Sequence, residues 1–211
     1  MIGTRTLEKL MAADLFIFGT MVIVEVVWPT GHVDAYGMSF YMTHVRTFIP
    51  LATGFGIAVA LLFRAASDLP PTGATLMVRR SLQAMAVLLI GILITPYTWG
   101  TFFNWAHMTL AAMLFVIQIG LSFWLVEWHV STIFNWFVLT IEVASGFVAM
   151  ISLPDFGINL LFLGEIGFQL TFSALLLYSL SRLVPEGGSS GGLPVELDER
   201  EHARRRSRHQ R

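Results

Sequence analysis

Residues Trp105–Val126 read WAHMTLAAMLFVIQIGLSFWLV, a run of twenty-two positions without one aspartate, glutamate, lysine or arginine. As a helix rising 1.5 Å per residue it would cover about 33 Å, enough to cross the hydrocarbon core of a bilayer. Its apolar residues go all the way round rather than forming one stripe, so no face is reserved for water. Trp105 and Trp124 lie near its ends, where indoles favour the membrane interface.

Five further runs of the same character flank it: Ala12–Trp28, Thr47–Phe63, Ala84–Trp99, Ile133–Ile151 and Ile158–Leu180. The composition agrees. Of the 211 residues 55% are hydrophobic and only 13% charged, and the mean hydropathy is +0.69. A soluble domain carries roughly 25% charged residues, so about half the usual surface charge is missing. The expected fold is all-α: a polytopic membrane bundle of about six transmembrane helices. No small-residue cleavage site follows the first run, where Val26-Val27-Trp28-Pro29 stands instead, so it reads as an uncleaved helix.

Basic residues set the expected direction. With the N-terminus inside, Arg5, Lys9, Arg64, Arg79, Arg80, Arg182 and the C-terminal arginines are all cytoplasmic, and Arg46 alone lies outside. Tryptophan gives an independent check. Trp28, Trp99 and Trp105 fall at outer helix ends, and Trp124, Trp128 and Trp136 at inner ends. Both termini are therefore expected in the cytoplasm, with the chain in the cell membrane. Twelve arginines against one lysine fit a GC-rich bacterial genome, hence a bacterial inner membrane.

Two units of different material follow. Residues 1–184 form the expected bundle, with its longer connections at Pro29–Arg46 outside and Ala65–Ser81, with Pro70-Pro71, inside. Residues 185–211 form a tail. It opens with the flexible linker Glu186-Gly187-Gly188-Ser189-Ser190-Gly191-Gly192 and then changes from acidic to basic, ending in Arg204, Arg205, Arg206, Arg208 and Arg211. Two readings stand: a solvated tail, or a basic segment resting on anionic inner-leaflet lipid. A run of arginines without a domain does not indicate nucleic acid.

Ionisable groups inside a membrane are costly and call for an account. Glu142 and Glu165 fall in adjacent expected helices at depths differing by only ~5 Å, and Gln169 lies one turn beyond Glu165. Ser145, Gly146 and Ala149 continue the Glu142 face, and small residues there permit close helix approach. The pair reads as a proton or cation site, as an anchor for a polar substrate, or as plain interhelical hydrogen bonding. A second cluster lies at the outer rim: Glu25, His44, Arg46 and His107, with His32, Asp34, Asn104 and Asp155 nearby. It offers a headgroup site through Arg46 and the imidazoles, a metal through His44, His107 and a carboxylate, or ordinary interfacial polarity.

No spacing diagnostic of catalysis or cofactor accompanies these residues. There is no HExxH, no nucleophile elbow and no phosphate-cradling glycine loop, and Gly54 and Gly56 lie inside a helix. The chain has no cysteine, which excludes disulfides and thiolate chemistry. His44 and His107 sit at the rim rather than facing across a bundle, as a b-type haem would need. No catalytic residue, metal or cofactor is expected.

Asn104-Trp105-Ala106-His107, followed by an alanine-rich helix through Gln118 to Trp124, resembles the fourth helix of the Frag/DRAM/Sfk membrane proteins. Gly164-Glu165-Ile166-Gly167-Phe168 is similar to that family's last helix, and Asp34-Ala35-Tyr36-Gly37 to its polar first loop. The last helix lacks a tryptophan beside the glutamate, and the first loop lacks a serine-rich signature. The resemblance implies six helices with inner termini and no established enzymatic activity, with links to lipid organisation, lipid-anchor processing and stress. His107 and Glu165 are the matched positions, and the resemblance gives neither a chemical role. The leading expectation is thus a non-enzymatic membrane protein that binds membrane lipid or organises membrane-protein partners or copies of itself. A small proton- or cation-coupled transporter using Glu142 and Glu165, and an outer-leaflet lipid-modifying enzyme, are the alternatives.

Overall fold

The structure, a computed structural model, describes residues 2–29, 36–152 and 158–183. Among them the chain is an all-α bundle of six long helices: α1 (Ile2–Val27), α2 (Val45–Asp68), α3 (Gly73–Ile94), α4 (Thr101–Trp128), α5 (Ile133–Ile151) and α6 (Leu161–Leu183). Each is long and apolar enough to cross a membrane. Two short 3₁₀ segments, Met38–Thr43 and Tyr97–Trp99, precede α2 and α4. The tail arginines Arg204, Arg205, Arg206 and Arg208, and the rim residues His32, Asp34 and Asp155, lie outside the described residues.

Only α5 keeps its expected limits: α1 starts at Ile2 rather than Ala12, α4 at Thr101 rather than Trp105, and two connections change as well. The segment Ala65–Ser81, expected as an inner loop, is mostly helical, because α2 continues to Asp68 and α3 already starts at Gly73. Ala65 and Ala66 are wholly buried, and Arg79 reaches back to the Leu69 carbonyl at 3.4 Å. Asp68 ends α2, whereas Arg79 and Arg80 already stand inside α3, so the charged residues do not mark a long loop. At its other end α3 stops at Ile94 rather than Trp99. Pro96 disfavours helical backbone at Thr95 and can donate no helical hydrogen bond of its own.

In chain order α1 packs on α2, α2 on α3 and α3 on α4. Helix α6 closes the arrangement by touching both α1 and α4, while α5 packs chiefly on α6. Lipid tails are as apolar as leucine, so helices in a membrane hold together by close fit and interhelical hydrogen bonds rather than by hydrophobic burial. The fit is tightest where glycine omits a side chain. A Cβ at Gly54 would lie 1.8 Å from the Thr20 hydroxyl, and one at Gly146 would lie 2.0 Å from the Phe115 ring. That ring stacks on Phe168 at 4.0 Å, so α4, α5 and α6 meet there.

Buried apolar residues form one cluster around Leu10, Leu69, Leu82 and Leu180, at the end where Lys9 pairs with Asp68. Another gathers around Val24, Tyr41 and Leu51, at the end that carries the 38–43 segment. The α4–α5 connection is fixed by Asn135, whose side chain donates to the Val130 carbonyl at 2.5 Å while Thr132 caps the helix at the Asn135 N–H. Replacing Asn135 by alanine leaves the Val130 carbonyl unpaired. We expect a loss of about 1–2 kcal/mol in unfolding from mixed micelles.

Candidate functional site

The middle of the bundle is not filled. A cavity of about 90 Å³ is lined from α1, α2, α3, α4 and α6, and by Met38 of the first 3₁₀ segment. Most of its wall is apolar. The exception is a row of four polar side chains: Asp14, Ser173, Gln169 and Gln118.

These four residues form a hydrogen-bonded chain across three helices. Ser173 donates to the Asp14 carboxylate at 2.8 Å, Gln169 donates to the Ser173 hydroxyl at 3.4 Å, and Gln118 donates to the Gln169 carbonyl oxygen at 2.8 Å. Gln169 and Ser173 share a face of α6 because they stand one turn apart. Asp14 lies at the centre of α1, so the row crosses near the middle of the bundle. The sequence reading picked out Gln169 but passed over Asp14 and Ser173. A carboxylate at the third position of the first apolar run was the available signal.

Above this cavity the 38–43 segment is tied down by residues of the predicted outer cluster. Gly37 precedes it with φ 69° and ψ −169°, backbone that in practice only glycine adopts. Here the missing side chain also makes room for Glu165, whose carboxylate would lie 2.6 Å from a Cβ at Gly37. Glu165 accepts the Met38 N–H at 2.7 Å, so an α6 residue anchors the start of the segment. His107, only 3% exposed, anchors it from α4. Its Nδ1 meets the Thr95 carbonyl at 2.9 Å and its Nε2 meets the Ser39 hydroxyl at 2.8 Å. A carbonyl can only accept, so in the neutral ring Nδ1 carries the proton and Nε2 accepts from Ser39.

The remaining rim residues take separate partners. Tyr41 donates to Glu25, and the Tyr41 carbonyl accepts from Thr47 at 2.7 Å. His44 lies between the Trp28 and Phe40 rings, with centroids 4.5 and 5.2 Å away, and its Nδ1 meets the Thr43 hydroxyl at 2.8 Å. Arg46 is exposed on the first turn of α2, and Asn104 is exposed on that of α4. Among the described residues no group of three histidine, aspartate or glutamate side chains could hold a metal. Both His107 nitrogens are already engaged.

Glu142 is elsewhere. Wholly buried on α5, it accepts a hydrogen bond from Ser122 of α4 at 3.0 Å, and its second oxygen has no partner among the described residues. Glu165 turns instead to the 38–43 segment, so the two glutamates serve different contacts. No protein-family model, characterised protein or solved structure matches the chain. Its chemistry must be read from these side chains alone. The cavity row offers a carboxylate, two amides and a hydroxyl, a set suited to binding through hydrogen bonds and charge.

Proposed function

We propose that this chain is a non-catalytic integral membrane protein that binds part of a membrane-dissolved amphiphile, such as a lipid, in its central cavity. The observation that carries the reading is the cavity itself, an apolar chamber with one polar wall at mid-bundle. One water needs about 10–15 Å³ of such space, so at about 90 Å³ the chamber accommodates the end of an amphiphile and not a whole lipid. The non-catalytic half of the reading is supported by His107, whose imidazole is occupied in holding the 38–43 segment.

The proposal keeps both termini on the cytoplasmic side and the arginine-rich tail beside anionic lipid. It also carries forward the likeness to the Frag/DRAM/Sfk proteins, whose links to lipid organisation agree with it. A transporter built on Glu142 and Glu165 as a coupled pair draws no support from their separate partners.

Native mass spectrometry from mild detergent tests the reading. The wild type should leave the micelle with a discrete added mass of lipid or other amphiphile. Leu89→Trp, which fills the chamber from α3, should lose that mass while keeping its helical circular dichroism. A wild-type chain with no adduct, or an adduct equally retained by Leu89→Trp, overturns the assignment.

A further inference from the structure

Asp14 is the one ionisable side chain among the described residues that line the cavity, and no lysine, arginine or histidine lines it. The one ion pair among the described residues joins Lys9 to Asp68, so Asp14 has no cationic partner there. Its hydrogen bonds come from neutral donors, the Ser173 hydroxyl at 2.8 Å and the Gln169 amide. Beyond Ser173, the Gln169 and Gln118 amides continue the chain, and their carbonyl oxygens are acceptors of the kind that also solvate cations. A carboxylate near the centre of a membrane helix stays ionised where something opposes its charge, and otherwise it holds its proton. Among the described residues nothing cationic stands on this wall, although the chamber beside it has room for several non-hydrogen atoms.

We propose that Asp14 is the anchor for a small monovalent cationic group, carried by a primary-amine amphiphile or arriving as a free cation. This inference rests on the cavity being a ligand site and adds the chemical class of the ligand. The ammonium donates to the Asp14 carboxylate, and the apolar wall takes the first methylenes of the chain. Charge selects the ligand: an alcohol of the same length loses the ion pair, and a carboxylate meets repulsion.

The test uses the full chain in nanodiscs of neutral phosphatidylcholine, with tritiated octylamine as the probe and scintillation proximity as the readout. Unlabelled octylamine should displace the label, while octanol and octanoate should do so at least roughly tenfold less well. Asp14→Asn keeps the shape and a hydrogen bond with Ser173, and it should weaken octylamine binding roughly ten- to hundredfold. Leu89→Trp should abolish binding with Asp14 in place, which locates the label in the chamber even where Asp14→Asn folds poorly. Displacement by ammonium or potassium chloride as effective as by octylamine identifies a free cation as the ligand; displacement by octylamine alone identifies the amphiphile. Either outcome upholds Asp14 as a cation anchor. The inference fails if octanol competes as well as octylamine, or if Asp14→Asn binds as the wild type does. Binding of octanol that Leu89→Trp abolishes would leave the cavity reading standing without the charge selection. No binding of any probe in the chamber would remove both.

Discussion

Gly164→Val should separate α5 from α6 and cost roughly 2–3 kcal/mol or more in unfolding from mixed micelles. A Cβ at Gly164 would lie 2.5 Å from the Ala149 nitrogen, 2.8 Å from its Cα and 2.8 Å from the Ser145 carbonyl oxygen. These are backbone atoms of the facing helix, which cannot rotate away as a side chain would. The two helices would have to part, and the Gly167 approach to Ser145 one turn further on would be disturbed with them. Phe168, which completes the stack with Phe115, stands on the same helix. The control is Gly120→Val. That glycine is exposed on α4 with nothing within 4 Å of its notional Cβ, so the same chemical change should be nearly silent. Equal costs at the two positions would mean that valine acts through helix propensity and that close packing at Gly164 contributes little.

Gly164 also shows where sequence reading ends. Six apolar runs were legible because bilayer thickness imposes their length on the chain locally. The run Ile133–Ile151 appears as α5 with the same limits, and the two sets of tryptophans lie at opposite helix ends. Small residues beside Glu142 could likewise be read as a close-packing face. Which glycine meets a backbone and which meets open space depends on helix phase and on the partner, and neither is written locally. Gly120 and Gly164 look alike in the sequence.

The polar residues follow the same rule. Similar depth along adjacent helices made Glu142 and Glu165 natural partners, yet depth is only one coordinate. Rotation about the helix axes takes Glu142 to Ser122 and Glu165 to the Met38 N–H. Asp14, Ser173 and Gln118 are far apart in the chain, and their meeting requires α6 to close between α1 and α4. No local pattern encodes that closure. His107 was visible as an interfacial histidine, but its role in holding the 38–43 segment needed Ser39 and Thr95 on either side of the ring.

Gly37→Ala should have a comparable effect, of roughly 3 kcal/mol, from two separable causes. The first is backbone: φ 69° with ψ −169° is a conformation that costs a residue with a Cβ on the order of 1–3 kcal/mol. The second is contact. The new methyl would lie 2.6 and 2.8 Å from the two Glu165 oxygens, so Glu165 must move and the Met38 N–H loses its acceptor. Losing that bond adds about 0.5–1.5 kcal/mol. A double-mutant cycle separates the causes. In a Glu165→Ala background the contact is already gone, so Gly37→Ala should cost only the backbone part. An unchanged penalty there would show that the carboxylate does not sense Gly37. The functional consequence is measurable in the same variants, since Met38 both donates its N–H to Glu165 and lines the cavity. The chain has no native cysteine, so a single cysteine at position 38 reports directly on exposure. It should react with maleimide faster when Gly37→Ala or Glu165→Ala is present, because the segment then lifts from α6. Equal labelling rates would mean that the remaining ties, Ser39 to His107 and Tyr41 to Glu25, hold the segment over the cavity without Glu165.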